Sequence, residues 1–319
     1  MSFIHFFGID VSQNWFDAAH HGAAKPVRFP NNEDGFAALI DMMSAQDLSD
    51  CFVVLEATGS YEMRLLRHLL AQGVAVHRAS SLQAKHFIRS FGYRAKTDQI
   101  DAKALATYAY ERHATLPLFA LPDENQKIFN ELMMRRQDFV AFAAAEKVRA
   151  TQPRYTDATA SVKQSVDVAL AFFAAQIEAI EAELDALVEA APALRARIET
   201  MRLIKGIGRL SAYTLQAFMP ELGTLTRRAA ASLAGCAPHA RDSGLKSRKR
   251  TVFGGREPIK RILFLAAMSA RRYDPTLKAF FEKLVANGKP KMVALTALMR
   301  KIVIIANAKL RSSKMQTTW

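Results

Sequence analysis

Cysteine is nearly absent. Cys51, inside an apolar run, and Cys236, far downstream, are the only two in 319 residues, which excludes a disulfide framework or a cysteine-rich zinc site and suits a reducing cytosol. No apolar stretch approaches the roughly 20 residues that span a bilayer. The start, MSFIHFFGID, lacks the charged head and cleavage site of a signal peptide, so the chain is expected neither to enter a membrane nor to be exported. Internal repeats and low-complexity tracts are missing as well. What is present is a folding composition: half of the residues are hydrophobic and 23% are charged, which excludes wholesale disorder. The length allows roughly two domains, each with its own core.

Acidic residues are scarce in one region only. The chain carries a formal net charge of +14, from 44 Lys and Arg against 30 Asp and Glu. Residues 1–118 hold 11 basic and 12 acidic side chains, residues 119–201 hold 9 and 13, and residues 202–319 hold 24 and 5. The last third thus carries +19, more than the whole excess. Solubility would not require such segregation. A polyanion is therefore expected to meet the C-terminal region, with counterion release from phosphates as the source of affinity.

The hydrophobic pattern changes along the chain in the same way. Residues 3–10 and 15–20 read as strands joined by a short polar link, a hairpin. Residues 31–46 have helical spacing (Phe36, Leu39, Ile40, Met43), and the apolar run from Cys51 to Leu55 reads as a buried strand. A helix over residues 61–72, a strand over 74–77 and a helix beginning near Thr97 complete an alternation that predicts a mixed α/β sheet. From residue 122 to 201 glycine disappears, and the spacing predicts two long helices broken near Gln152 and Pro153. The second carries the stripe Leu170, Phe173, Ala174, Ile177, Ile180, Leu184 and Leu187, suited to close helix pairing within the chain or between chains. Beyond Met201 the pattern is again helical but punctuated by glycine. A basic, loop-like stretch covers residues 237–256, and Pro258 stands where a first helical turn accepts proline. The expected domains are residues 1–118, 119–201 and 202–319.

Carboxylates mark the ends of the expected strands. Asp10 closes the first, and Glu56 follows the buried run FVVL, so both project from a sheet edge. Asp98 and Asp101, three apart at a helix start with Thr97 as a natural N-cap, share one face. Each alone has an ordinary explanation as a turn former or a partner of the helix dipole. Gathered by the fold, four such groups are what hard cations such as Mg2+ or Mn2+ bind, and two such ions about 4 Å apart would clamp a phosphodiester.

Two further stretches carry chemistry. Ile204-Lys205-Gly206-Ile207-Gly208, followed by the helical pattern Leu210, Ala212, Leu215, resembles a helix-hairpin-helix turn. Its glycines would let backbone N–H groups approach a phosphate while Lys205 and Arg209 supply charge, although a plain turn reads the same way. In the basic run Arg241-Asp242-Ser243-Gly244-Leu245-Lys246-Ser247-Arg248-Lys249-Arg250 a serine stands beside glycine. Ser-Gly is ordinary turn chemistry. A serine among Arg241, Lys246, Arg248, Lys249 and Arg250 could also attack a phosphodiester if a metal or base activates its hydroxyl; His239 is a conceivable base.

Read together, Gly8-Ile9-Asp10-Val11-Ser12, Glu56-Ala57-Thr58-Gly59-Ser60-Tyr61 and Lys96-Thr97-Asp98-Gln99-Ile100-Asp101-Ala102 resemble the DEDD, RuvC-like half of the IS110 family of insertion-sequence transposases. Gly206-Ile207-Gly208, Leu233-Ala234-Gly235 with Pro238, Ser243-Gly244, Asn287-Gly288-Lys289 and Met299-Arg300-Lys301 resemble the family's C-terminal domain, in order. The chain departs from the pattern at Gln13, where a lysine is common, at Lys205, where a proline is expected, and at Phe253-Gly254-Gly255.

The resemblance implies an RNase H-like (RuvC-like) mixed-sheet domain, a helical coiled-coil insert and a mainly helical C-terminal transposase domain. Asp10, Glu56, Asp98 and Asp101 would hold two Mg2+ or Mn2+ ions. Ser243 would form a transient phosphoserine link to DNA. The implied partners are donor and target DNA, a bridge RNA that pairs with both, and further copies of the chain in a dimer or tetramer, at the nucleoid of a bacterial cytoplasm. Related Piv-type invertases use similar residues for inversion. The alternative is a RuvC-like endonuclease or junction resolvase in which water attacks and Ser243 is structural.

Overall fold

The structure, a computed structural model, describes residues 3–91, 98–239 and 251–316; for residues 98, 99, 239 and 313–316 it describes the backbone alone. The chain forms two compact units, Met1–Leu121 and Pro122–Trp319.

The first unit opens with β1 (His5–Val11), β2 (Trp15–His20) and β3 (Val27–Pro30), then α1 (Glu33–Met43), β4 (Cys51–Glu56), α2 (Met63–Ala71), β5 (Ala75–Ala79), α3 (Ser81–Ser90) and α4 (Asp98–Arg112). The strands form one sheet in the order β3-β2-β1-β4-β5. The two hairpins β1–β2 and β2–β3 are antiparallel, while β1–β4 and β4–β5 are parallel. β4 is buried along its whole length because helices cover both faces of the sheet. On one face Phe7, Ile9, Val53 and Leu55 pack with Phe36 and Leu39 of α1 and Leu65 and Leu69 of α2. On the other, Phe6, Phe52 and Val54 pack with Leu105, Tyr108 and Ala109 of α4.

The second unit contains α5 (Glu124–Ala150), α6 (Pro153–Thr156), α7 (Ala160–Ala190), α8 (Pro192–Arg202), α9 (Arg209–Phe218), α10 (Arg227–Leu233), the short strands β6 (Pro238–His239) and β7 (Thr251–Val252), α11 (Glu257–Tyr273), α12 (Pro275–Ala286) and α13 (Lys291–Gln316). The break expected near Gln152 is the single turn α6, with Pro153 at its start. Much of the apolar stripe of α7 packs inside the chain: Ile180 and Leu184, together with Val188, share one core with Phe129, Met133 and Phe139 of α5, with Phe173, Ile177 and Leu187 partly buried against it, while Ala174 is exposed. That core continues through α8, α9, α11 and α13. Among the described residues no helix is long and apolar enough to cross a membrane.

Candidate active site

Asp10 and Glu56 end neighbouring parallel strands. The last register pair is Ile9 with Leu55, so the next residue of each strand stands beside the other. Side-chain alternation fixes which way they face. Phe6, Gly8 and Asp10 alternate with Phe7, Ile9 and Val11, as Phe52, Val54 and Glu56 alternate with Val53 and Leu55. Because Phe6, Phe52 and Val54 lie in the core shared with α4, Asp10 and Glu56 share that face.

α4 crosses the same face closely. A Cβ added at Gly8 would collide with the backbone of Ala102, Leu105 and Ala106. The helix runs back along β1, since the rings of Tyr110 and His113 near its end meet Phe6 at 5.4 and 4.8 Å. Its first turn therefore points toward the Asp10 end of the strand, and that turn carries Asp98 and Asp101. Glu56 and Asp101 are each 8% exposed, and Asp10 is half-buried. Thr97 lies outside the described residues, and of Asp98 only the backbone is described.

One acid on this face escaped sequence reasoning. Asp17 of β2 stands directly opposite Asp10 in the antiparallel register. Two like charges so placed destabilise a sheet. Asp17 is met by Arg28 of β3, whose Nε and Nη2 donate to its two oxygens at 3.1 and 2.7 Å. The available signal was the alternation Phe16-Asp17-Ala18, a charged residue on a buried strand.

The donor set suits a hard divalent ion. Among the described residues no three acidic, histidine or cysteine side chains form a ready ion cage. The Glu56 carboxylate nevertheless has no hydrogen-bond or ion-pair partner among them, so a cation could take it without displacing a protein partner. Neither cysteine competes as a nucleophile: burial pushes both thiols up to about 11.

The loop after Glu56 is held from behind. Glu62 is fully buried; its Oε1 accepts from Arg78 Nε and Nη2 at 2.9 and 2.5 Å, and its Oε2 accepts from the Thr58 N–H at 3.1 Å. Ser81 Oγ donates to the Ala57 carbonyl at 2.6 Å. Within the loop Ser60 adopts a positive φ of 81°, a strained state for a residue with a side chain.

In the second unit the predicted phosphate turn joins α8 to α9. Ile204 and Ile207 are buried beneath it, whereas Lys205 and Gly208 are exposed. Its two glycines differ. Gly206, at φ 98°, packs so tightly that a Cβ would collide with the Ala266 carbonyl of α11, while Gly208 faces open space as the N-cap of α9, with no side chain satisfying the first N–H groups. Arg209 is not solely a surface cation: Glu181 and Asp185 of α7 both bind its guanidinium, which lies 5.7 Å from the Tyr213 ring centroid. Asp185 also accepts from Tyr213 Oη at 2.6 Å, and burial together with this bond raises the tyrosine pKa. Ser243, Arg241, Lys246, Arg248, Lys249 and Arg250 lie outside the described residues, as does the side chain of His239.

Comparison with known proteins matches two stretches of the chain, the first reaching past Leu121 through α5. A family model of the DEDD, IS110 type, described as a transposase, matches residues 7–152, and one described as a transposase of the IS116/IS110/IS902 family matches residues 198–282. The pilin gene-inverting proteins of Moraxella bovis and Moraxella lacunata are 27% and 26% identical over 318 residues, covering 97% of this chain and 96% of each relative. An uncharacterized 43.6 kDa protein of insertion element IS110 from Streptomyces coelicolor is 32% identical over 139 residues, which is 43% of this chain and 33% of that protein. The acids fall within the first matched region, and Lys205 to Arg250 within the second.

Proposed function

We infer that this chain, which belongs to the IS110 family of transposases and is thus an enzyme of DNA recombination, cuts and rejoins DNA through a phosphoserine intermediate, assisted by divalent metal and guided by a bridge RNA. The observation that carries the reading is the gathering of Asp10, Glu56 and the first turn of α4 on one face of the sheet. The strand order β3-β2-β1-β4-β5, with its antiparallel start and parallel end, supports an RNase H-like first unit.

Asp10, Glu56, Asp98 and Asp101 would hold Mg2+ or Mn2+, two ions in all. Bound there, the metal supplies positive charge that eases loss of the serine proton and stabilises the crowded phosphorus. Carboxylates alone repel DNA, so the grip comes from the strongly basic C-terminal region: Lys205 and the open N-terminus of α9 at Gly208 take a phosphate, and the Arg241 to Arg250 run takes others. Ser243 Oγ bonds to phosphorus as the bond to the adjoining deoxyribose oxygen breaks, and that oxygen gains a proton. Reversal onto another strand rejoins the DNA without ATP, because the ester linkage is conserved throughout.

Exchange requires several strands to be cut together, which calls for a dimer or tetramer acting on donor and target DNA. The Moraxella relatives, named for inverting a gene, support conservative exchange as the outcome. Ser243→Ala tests the reading. It is expected to abolish the detergent-resistant protein–DNA adduct while leaving DNA binding intact; recombination that survives the change removes Ser243 from the mechanism. Free nicked ends without an adduct in the unaltered protein would instead support the endonuclease in which water attacks.

A further inference from the structure

We infer that Asn31 is a positioning residue that sets the spacing between the Asp10 and Glu56 carboxylates, an inference that rests on the metal-dependent reading above. Asn31 follows β3, and its side chain joins the two chain segments that leave the acid-bearing strands. Its Nδ2 donates to the carbonyl of Ser12, two residues beyond Asp10, at 2.9 Å, and to the carbonyl of Tyr61, in the loop beyond Glu56, at 3.3 Å. Its backbone N–H also donates to Asn14 at 2.9 Å, so the same residue closes the β1–β2 turn.

The loop beyond Glu56 is pinned on its other side by separate bonds. The Ala57 N–H donates to Ala79, and the Thr58 N–H donates to buried Glu62. Those contacts tie the loop to β5 and α2. The β1–β4 ladder sets the two strands side by side, and Asn31 adds a tie between the segments that leave them.

The chemistry requires an amide here. Turning the group over would set its oxygen against two carbonyl oxygens, so the donor assignment is fixed by its surroundings. An aspartate would lose both donated bonds. With Nδ2 engaged, Oδ1 is buried and has no hydrogen-bond partner among the described residues. Phosphate and carboxylate oxygens only accept, so a donor such as water suits this atom.

The test titrates Mn2+ into the full-length protein and follows its melting temperature. Asn31→Ala is expected to raise the Mn2+ midpoint by ~10-fold or more, as loss of a residue supporting metal ligands does elsewhere. Asn32→Ala is the control. It removes the neighbouring N-cap of α1, where Asn32 Oδ1 accepts from the Gly35 N–H at 3.0 Å, and should lower the metal-free melting temperature without moving the midpoint. Should the alanine variant fail to fold, Asn31→Ser, which removes the amide but keeps a small polar side chain, decides. An unchanged midpoint in Asn31→Ala overturns the role of Asn31 and leaves the metal reading standing. No Mn2+ response in the unaltered protein overturns the metal reading, and this inference with it.

Discussion

Gly8 lies directly beneath Ala102: the α4 backbone occupies the space a Cβ at residue 8 would need. This contact lets the helix approach β1 closely enough for its first turn to reach the end of the strand that carries Asp10. Gly8→Ala forces helix and sheet apart. Overpacking of this kind costs about 1–3 kcal/mol, and the clash here is with backbone, which cannot rotate away. Denaturant melts should show that loss, and strand cutting should fall further than stability alone explains because Asp101 is displaced relative to Asp10.

The Glu62–Arg78 pair makes a second prediction. A fully buried carboxylate that loses its cation is left without compensation in an apolar setting. Arg78→Met should cost about 3 kcal/mol, and combining it with Glu62→Gln should recover much of that, since a neutral amide needs no counter-charge. Urea midpoints of the two single variants and the double variant measure this coupling.

Acid should weaken the first unit. His77 is buried with Nδ1 2.7 Å from the Pro117 carbonyl oxygen, and burial, partly opposed by that bond, holds its pKa below the ordinary 6.5. His20 is lowered by burial and then by His5 and His21. A depressed value in the folded state means that the unfolded chain takes up protons first as pH falls. Stability should therefore be full above pH 6.5 and decline below it. His77→Asn, which keeps a donor for Pro117 but does not titrate, should make that decline shallower in urea melts.

Lys205 and Arg209 sit on one turn and should behave differently. Lys205 is exposed, and its loss should lower the slope of log affinity against log salt by about one unit, the signature of one phosphate contact. Arg209 is shared between Glu181 and Asp185, so Arg209→Ala should lower the melting temperature of the protein as well as any DNA affinity. Salt-dependent binding isotherms alongside thermal melts separate the two.

The sheet was legible wherever apolar runs carried it. β1, β2 and β4 follow from their Phe, Ile and Val content, and the long α5 and α7 from glycine-free periodicity. β3 was missed because it is a short, largely exposed edge strand ending in proline, and α3 because its sequence SLQAKHFIRS buries only Ala84. In α4 a start near Thr97 could be read, but its packing face could not: Ala102, Ala104, Ala106 and Ala109 bury small side chains whose periodicity is faint. The four strand-end and helix-start acids could be nominated by position. Asp17, Asn31 and the partners of Arg209 were not, because each depends on a cross-strand or interhelical neighbour that local spacing does not contain.

Strand cutting by Asp101→Asn tests the central claim most directly. The substitution keeps size and removes charge at the α4 turn that faces Asp10 and Glu56. Cutting of a DNA substrate should fall ~100-fold or more with DNA affinity unchanged, as when one group that stabilises transition-state charge is lost. Cutting at the unaltered rate would contradict a shared site for the acids of the sheet and of α4.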